Sequence, residues 1–302
     1  MKSSAATMAL PSTSATGAAS AHYGPAAFIV LWSTGYVAGK LALPHVGPLT
    51  LVFLRFGLAA AILLVVALLT RAPWPRSPRQ WAHIAVVGVL LQALQFSSLY
   101  KGMTLGVSAG VSAVIVGLMP IFTALGAVVF LAERITLRQV AGLTLGLMGV
   151  ALVVAHKLRL DAAGITGYVA MGLALLGITA GTLYQKKFCA DMDLRTGGCI
   201  QLGVAALLVG PIAFATEGLA AQWTPALMSS MLWMAAINSI GASSIMFLML
   251  RRGEASRVAS LFYLTPAVTA VMGYVVLGET LSWLQVMGFL VSASGVYLAT
   301  RK

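Results

Sequence analysis

The sequence predicts an all-α polytopic membrane protein, with ten transmembrane helices arranged as two inverted five-helix repeats. Three observations predict it. Of the 302 residues 60% are apolar and only 9% charged, and the mean hydropathy is +0.95; a soluble domain is roughly 45–50% apolar and about a quarter charged. Apolar runs of 19 to 25 residues recur along the chain, each long enough to cross about 30 Å of hydrocarbon at about 1.5 Å per residue. The chain also matches itself without a gap at a shift of 146 residues. Polar surface is too scarce to cover a water-exposed globule, which excludes an ordinary soluble enzyme.

Taken in order, residues 1–22 are small and polar with no apolar signal-peptide core, and read as a disordered tail. The ten expected spans are 24–44, 47–70, 80–103, 107–131, 136–155, 165–188, 196–216, 226–250, 254–277 and 282–300, separated by short polar or Pro/Gly-containing links. Fourteen Lys and Arg residues fall on the side that holds both termini, three on the other, and two, Lys40 and Arg55, within spans. The positive-inside bias therefore places both termini in the cytoplasm of a multi-pass inner-membrane protein. The net charge of +12 then belongs to loops facing an anionic lipid surface, and a nucleic-acid partner is not expected. Cys189 and Cys199 are too few for a disulfide framework.

The internal match divides the chain after the tail into residues 23–156 and 157–302. Between 109–152 and 255–298 there are 15 identities in 44 positions, where a chain so rich in few residue types matches itself by chance at about one position in ten. Pro120 meets Pro266, Glu133 meets Glu279, Gln139 meets Gln285 and Gly149 meets Gly295. Each unit holds an odd number of spans, so the second copy inserts upside down. Such halves have two near-equivalent packings, open to either side, as in secondary transporters.

Several motifs carry a family resemblance. Residues 31–40 (LWSTGYVAGK), Phe53-Leu54-Arg55-Phe56, and the run P-x-x-T-A-x(8)-E-x(5)-Q-x-x-G, present from Pro120 to Gly142 and again from Pro266 to Gly288, resemble the EamA family of the drug/metabolite transporter superfamily. The resemblance implies a ten-helix inner-membrane carrier of small metabolites, often an exporter of amino acids or related compounds, and names no substrate. It also places basic residues at the positions of Lys40 and Arg55 without assigning their role.

The polar residues supply the candidate site. All seven acids fall in loops or at span ends, which argues against the intramembrane carboxylate of a proton-coupled exporter of cations. Gln92 and Gln95 share a face of span three, and the repeat partner of Gln92 is Asn238 on span eight. Two mirrored carboxamides offer donors and acceptors to a zwitterion; the alternative is interhelical glue worth about 0.6 kcal/mol per bond. Ser33, Thr34, Thr179, Tyr263 and Thr265 lie at similar depth, though a serine or threonine also bonds back to its own helix; Trp32, Tyr100 and Tyr184 read as aromatic walls, the two tyrosines equally as belt residues.

Lys40 and Arg55 read either as snorkelling cations or as gating groups that attract a substrate anion. Pro120 and Pro266 mark matched helix breaks that border a cavity, or simple packing kinks. His83 is a candidate coupling group, or an interfacial His bound to water or backbone. Glu133 and Glu279 precede Thr136–Gln139 and Ser282–Gln285, which read as capping boxes. The strips Gly102–Gly106–Gly110, placed at the start of span four, and Gly142–Gly146 read as close-packing surfaces. Spans one, three, four, six, eight and nine are expected to line a site between the halves. No cofactor, metal or covalent chemistry is expected. The partners are a small-molecule substrate and the lipid bilayer, and the protein is a monomer or a homodimer. The rival reading is a non-transporting membrane scaffold or accessory subunit.

Overall fold

The computed structural model describes residues 15–123, 126, 136–158, 164–246, 265–280 and 282–300. Its helices are α1 (Ala15–Ala42), α2 (Pro48–Leu69), α3 (Pro78–Thr104), α4 (Ala109–Thr123), α5 (Leu137–Leu158), α6 (Gly164–Phe188), α7 (Leu194–Glu217), α8 (Pro225–Trp233, continuing as Met234–Ala242), α9 (Thr265–Leu277) and α10 (Trp283–Thr300). Four of them, α2, α3, α6 and α7, are long and apolar enough to cross a membrane on length and composition alone. Helix α1 begins inside the stretch expected as a tail, so residues 15–22 are helical.

Local chemistry sets the boundaries. Ser77 caps α3 through a reciprocal box with Gln80, and Pro78 occupies the first turn, where its missing N–H costs nothing. Ser108 and Thr224 cap α4 and α8, and Gly218 ends α7 in the left-handed conformation at φ 65°. The expected box at the start of α10 is formed: Ser282 Oγ accepts from the Gln285 N–H at 3.2 Å, and Gln285 Oε1 accepts from the Ser282 N–H at 2.9 Å.

Glu133 and the side chain of Gln139 lie outside the described residues, as do residues 1–14, so the first expected box and the rest of the tail are not placed. Gly106 is a turn residue at φ 105° between α3 and α4, not part of a helical strip at the start of span four. Only a residue without a Cβ takes that conformation freely.

Helix contacts follow a two-fold pattern. Pairs α2–α7, α4–α9 and α5–α10 each map onto themselves when the halves are exchanged, while α3–α6 exchanges with α8–α1, and α1–α9 with α6–α4. The α5–α10 pair shows the symmetry at atomic detail. A Cβ at Gly149 would lie 2.3 Å from Ser292 N, and one at its repeat partner Gly295 would lie 2.3 Å from Gly146 N. Backbones approach this closely only where side chains are absent. Large apolar side chains such as Leu69, Leu207 and Val275 face outward and exposed, an arrangement suited to hydrocarbon.

Candidate functional site

The sequence pattern did not reveal that α3 and α8 are interrupted by π-helical stretches, Gly88–Leu94 and Met234–Ala242. These start at repeat-matched positions and carry Gln92 and Asn238. A π-helical turn widens the helix by one residue and leaves the regular hydrogen-bond ladder, a departure common at functional sites. Small residues on neighbouring helices accept the widened turns: Gly181 of α6 packs against the Leu91 backbone, and its repeat partner Gly35 of α1 packs against the Asn238 side chain.

Between the halves lies a cavity that is open at its mouth. Of the predicted site residues, Trp32, Arg55, Gln92, Gln95 and Asn238 line it. Ser33, Thr34, Lys40, Thr179, Pro120 and Pro266 do not, and Tyr263 lies outside the described residues. Sequence reasoning missed Tyr36, Gln201, Ser239 and Ser243 in the lining. Five of the expected helices, α1, α3, α4, α6 and α8, contribute to the lining; α2 and α7 contribute as well, and α9 does not among the described residues.

The residues outside the lining have structural surroundings of their own. Thr34 Oγ1 donates to the Leu31 carbonyl at 2.6 Å and accepts from Trp233 Nε1 at 2.9 Å. Ser33 Oγ sits 3.5 Å from the Thr265 carbonyl. Lys40 Nζ donates to the carbonyls of Met103 and Val107 at 2.9 and 3.1 Å, capping the end of α3. Thr179 is buried, and its hydroxyl has no hydrogen-bond partner among the described residues. The His83 ring stacks on Phe188 at 4.6 Å, and its Nδ1 lies 2.8 Å from the Tyr184 hydroxyl. Pro120 follows a break at residues 117–118; a Cβ at Gly117 would sit 3.2 Å from Pro266 Cγ, so the break faces the second proline.

Asn238 is both glue and lining. Its Nδ2 donates to the Leu31 carbonyl and lies 3.4 Å from Thr34 Oγ1, while its buried Oδ1 has no partner among the described residues. Arg55 is buried and does not snorkel: Nε donates to Ser239 Oγ at 2.9 Å, and Nη1 donates to the buried Tyr100 hydroxyl.

One end of the bundle is tied across the halves. Glu217 accepts from the N–H groups of Leu49 and Thr50 at 3.0 and 2.8 Å and from the Thr50 hydroxyl at 2.7 Å. Glu279 accepts from the Ala109 N–H at 2.9 Å. Both carboxylates therefore cap first-half helices from the second half, where the helix dipole favours an anion. The Gln222 N–H also donates to the His45 carbonyl at 2.8 Å. The cavity lining continues away from this end to Leu194 and Gly198, in the first turns of α7.

A helical bundle of two matched halves, with a largely apolar cavity between them into which Arg55, Gln92, Gln95, Gln201 and Asn238 bring a few polar groups, is an arrangement suited to a membrane carrier. The EamA-like transporter family model matches residues 26–155 and again 165–301, and the chain belongs to that family. It is a multi-pass membrane transporter and not an enzyme. It is 28% identical over 283 residues to a probable amino-acid metabolite efflux pump of Salmonella typhimurium, covering 89% of this chain and 91% of the relative. It is also 28% identical over 284 residues to the uncharacterized transporter YvbV of Bacillus subtilis, covering 91% and 89%. A solved crystal structure shares the fold with a TM-score of 0.68 at 17% identity, covering 93% of this chain and 96% of that one.

Proposed function

We propose that the protein is a secondary transporter that exports a small polar metabolite, an amino acid or related compound, across the bacterial inner membrane by alternating access. The observation that carries this reading is the cavity between the halves, bordered by the two repeat-matched π-helical stretches with Gln92 and Asn238. The efflux-pump relative supports the solute class. The charge bias of the loops supports an orientation with the clasped end outside and both termini in the cytoplasm. Binding energy then shifts the balance between two packings of the halves. Trp32, Gln92, Gln95 and Asn238 contact solute in this reading, and the break before Pro120, which faces Pro266 in the first turn of α9, is the point about which α4 bends.

Purified protein in liposomes should give saturable counterflow of an amino acid. Flux left unchanged by Gln92→Ala and Asn238→Ala, singly and together, rules out this site.

A further inference from the structure

We propose that Arg55 binds the carboxylate of the transported solute, so that the cavity selects solutes by their acid end and not by their amine. This rests on the transport reading above. Arg55 lies seven residues after Pro48, about 10 Å along α2. Its guanidinium meets only neutral groups among the described residues: Ser239 and Tyr100 hydroxyls, the Met234 sulfur at 4.0 Å, and the faces of Phe96 and Phe56 at 4.5 and 5.1 Å. Among those residues no carboxylate pairs with it, and Nη2 makes no hydrogen bond. A buried cation without a counter-ion is costly in a membrane interior.

Arg55 is also the one charged residue among those described in the cavity lining. A single cation matches a carboxylate, which a guanidinium grips with two parallel bonds. A phosphate, with close to two charges, would be left undercompensated, and an ammonium group would find no acid among the described lining residues. The Asn238 Oδ1, unpartnered among the described residues, offers an acceptor for a solute N–H or O–H. Ser239 and Met234 belong to the π-helical stretch of α8, so a carboxylate that takes over the guanidinium loosens a contact between α2 of the first half and α8 of the second. Binding and rearrangement are thereby linked.

The test is ligand-induced thermal stabilisation of the purified protein, with counterflow in liposomes. Probes are leucine and phenylalanine, the amines that lack their carboxyl groups, and the acids that lack their amino groups. The acids and amino acids should bind and the amines should not. Arg55→Gln should weaken carboxylate binding on the order of 30-fold, and Arg55→Lys should weaken it less. The comparison of acid with amine on the unmodified protein needs no variant, so it stands even where Arg55→Gln fails to fold. Amine binding that matches acid binding, no binding by any carboxylate, or carboxylate affinity unchanged in a folded Arg55 variant each overturns the proposal. Saturable flux of amines alone would do so while leaving the transport reading intact; absence of any flux would overturn that reading instead.

Discussion

Thr50 and Glu217 are joined across the two halves: one carboxylate oxygen accepts both the Thr50 N–H, at 2.8 Å, and its hydroxyl, at 2.7 Å. Gly47 makes room for that carboxylate, since a Cβ there would lie 2.1 Å from Oε2. Glu217→Ala should therefore cost about 1–2 kcal/mol of stability through the lost cap, read by thermal unfolding in detergent. Thr50→Val should cost less, because the backbone bonds survive. Equal stability of wild type and Glu217→Ala would show that the clasp contributes nothing.

The glycines of α5 and α10 give a paired prediction. Gly149→Ala and Gly295→Ala should each destabilise by about 1–3 kcal/mol, because each new methyl meets backbone. Gly57, with open space around its Cβ position, is the control and should tolerate alanine. A large difference between the two matched variants would contradict the symmetric packing.

The two mirrored carboxamides should differ. Asn238→Ala removes bonds to α1 and should lower both stability and flux. Gln92→Ala should lower flux with little change in unfolding temperature. Thermal unfolding and liposome counterflow, run on both variants, separate the two outcomes.

Asp193 caps α7 and pairs with Arg195, whose guanidinium holds its carboxyl below the ordinary 3.8. A depressed folded pKa contributes stability above the unfolded value that is lost as pH falls through the folded one. The stability gap between wild type and Asp193→Asn should thus be present at neutral pH and shrink below about pH 4. A gap that stays constant down to about pH 3 would show that the ion pair has no part in it.

Much of the fold was legible because a bilayer imposes length and polarity on every span and a duplication repeats its residues in register. The Ser282–Gln285 cap could be read from four consecutive positions, since its partners are local. The π-helical stretches could not: nothing in the spacing of residues 88–94 or 234–242 departs from an ordinary apolar helix, and the widened turns exist only where Gly181 and Gly35 leave room for them.

By itself, the sequence determined the solvent, the number of spans and the inverted doubling, because hydrophobic transfer and repeat register act along the chain. Tertiary structure alone decided which polar groups face the cavity and which hold helices together. Thr34 and Lys40 looked as available as Arg55 until Trp233, and Met103 with Val107, all distant in sequence, were known as their partners. A polar side chain in a membrane bonds whatever donor or acceptor the packing brings within reach, and that choice is made in three dimensions.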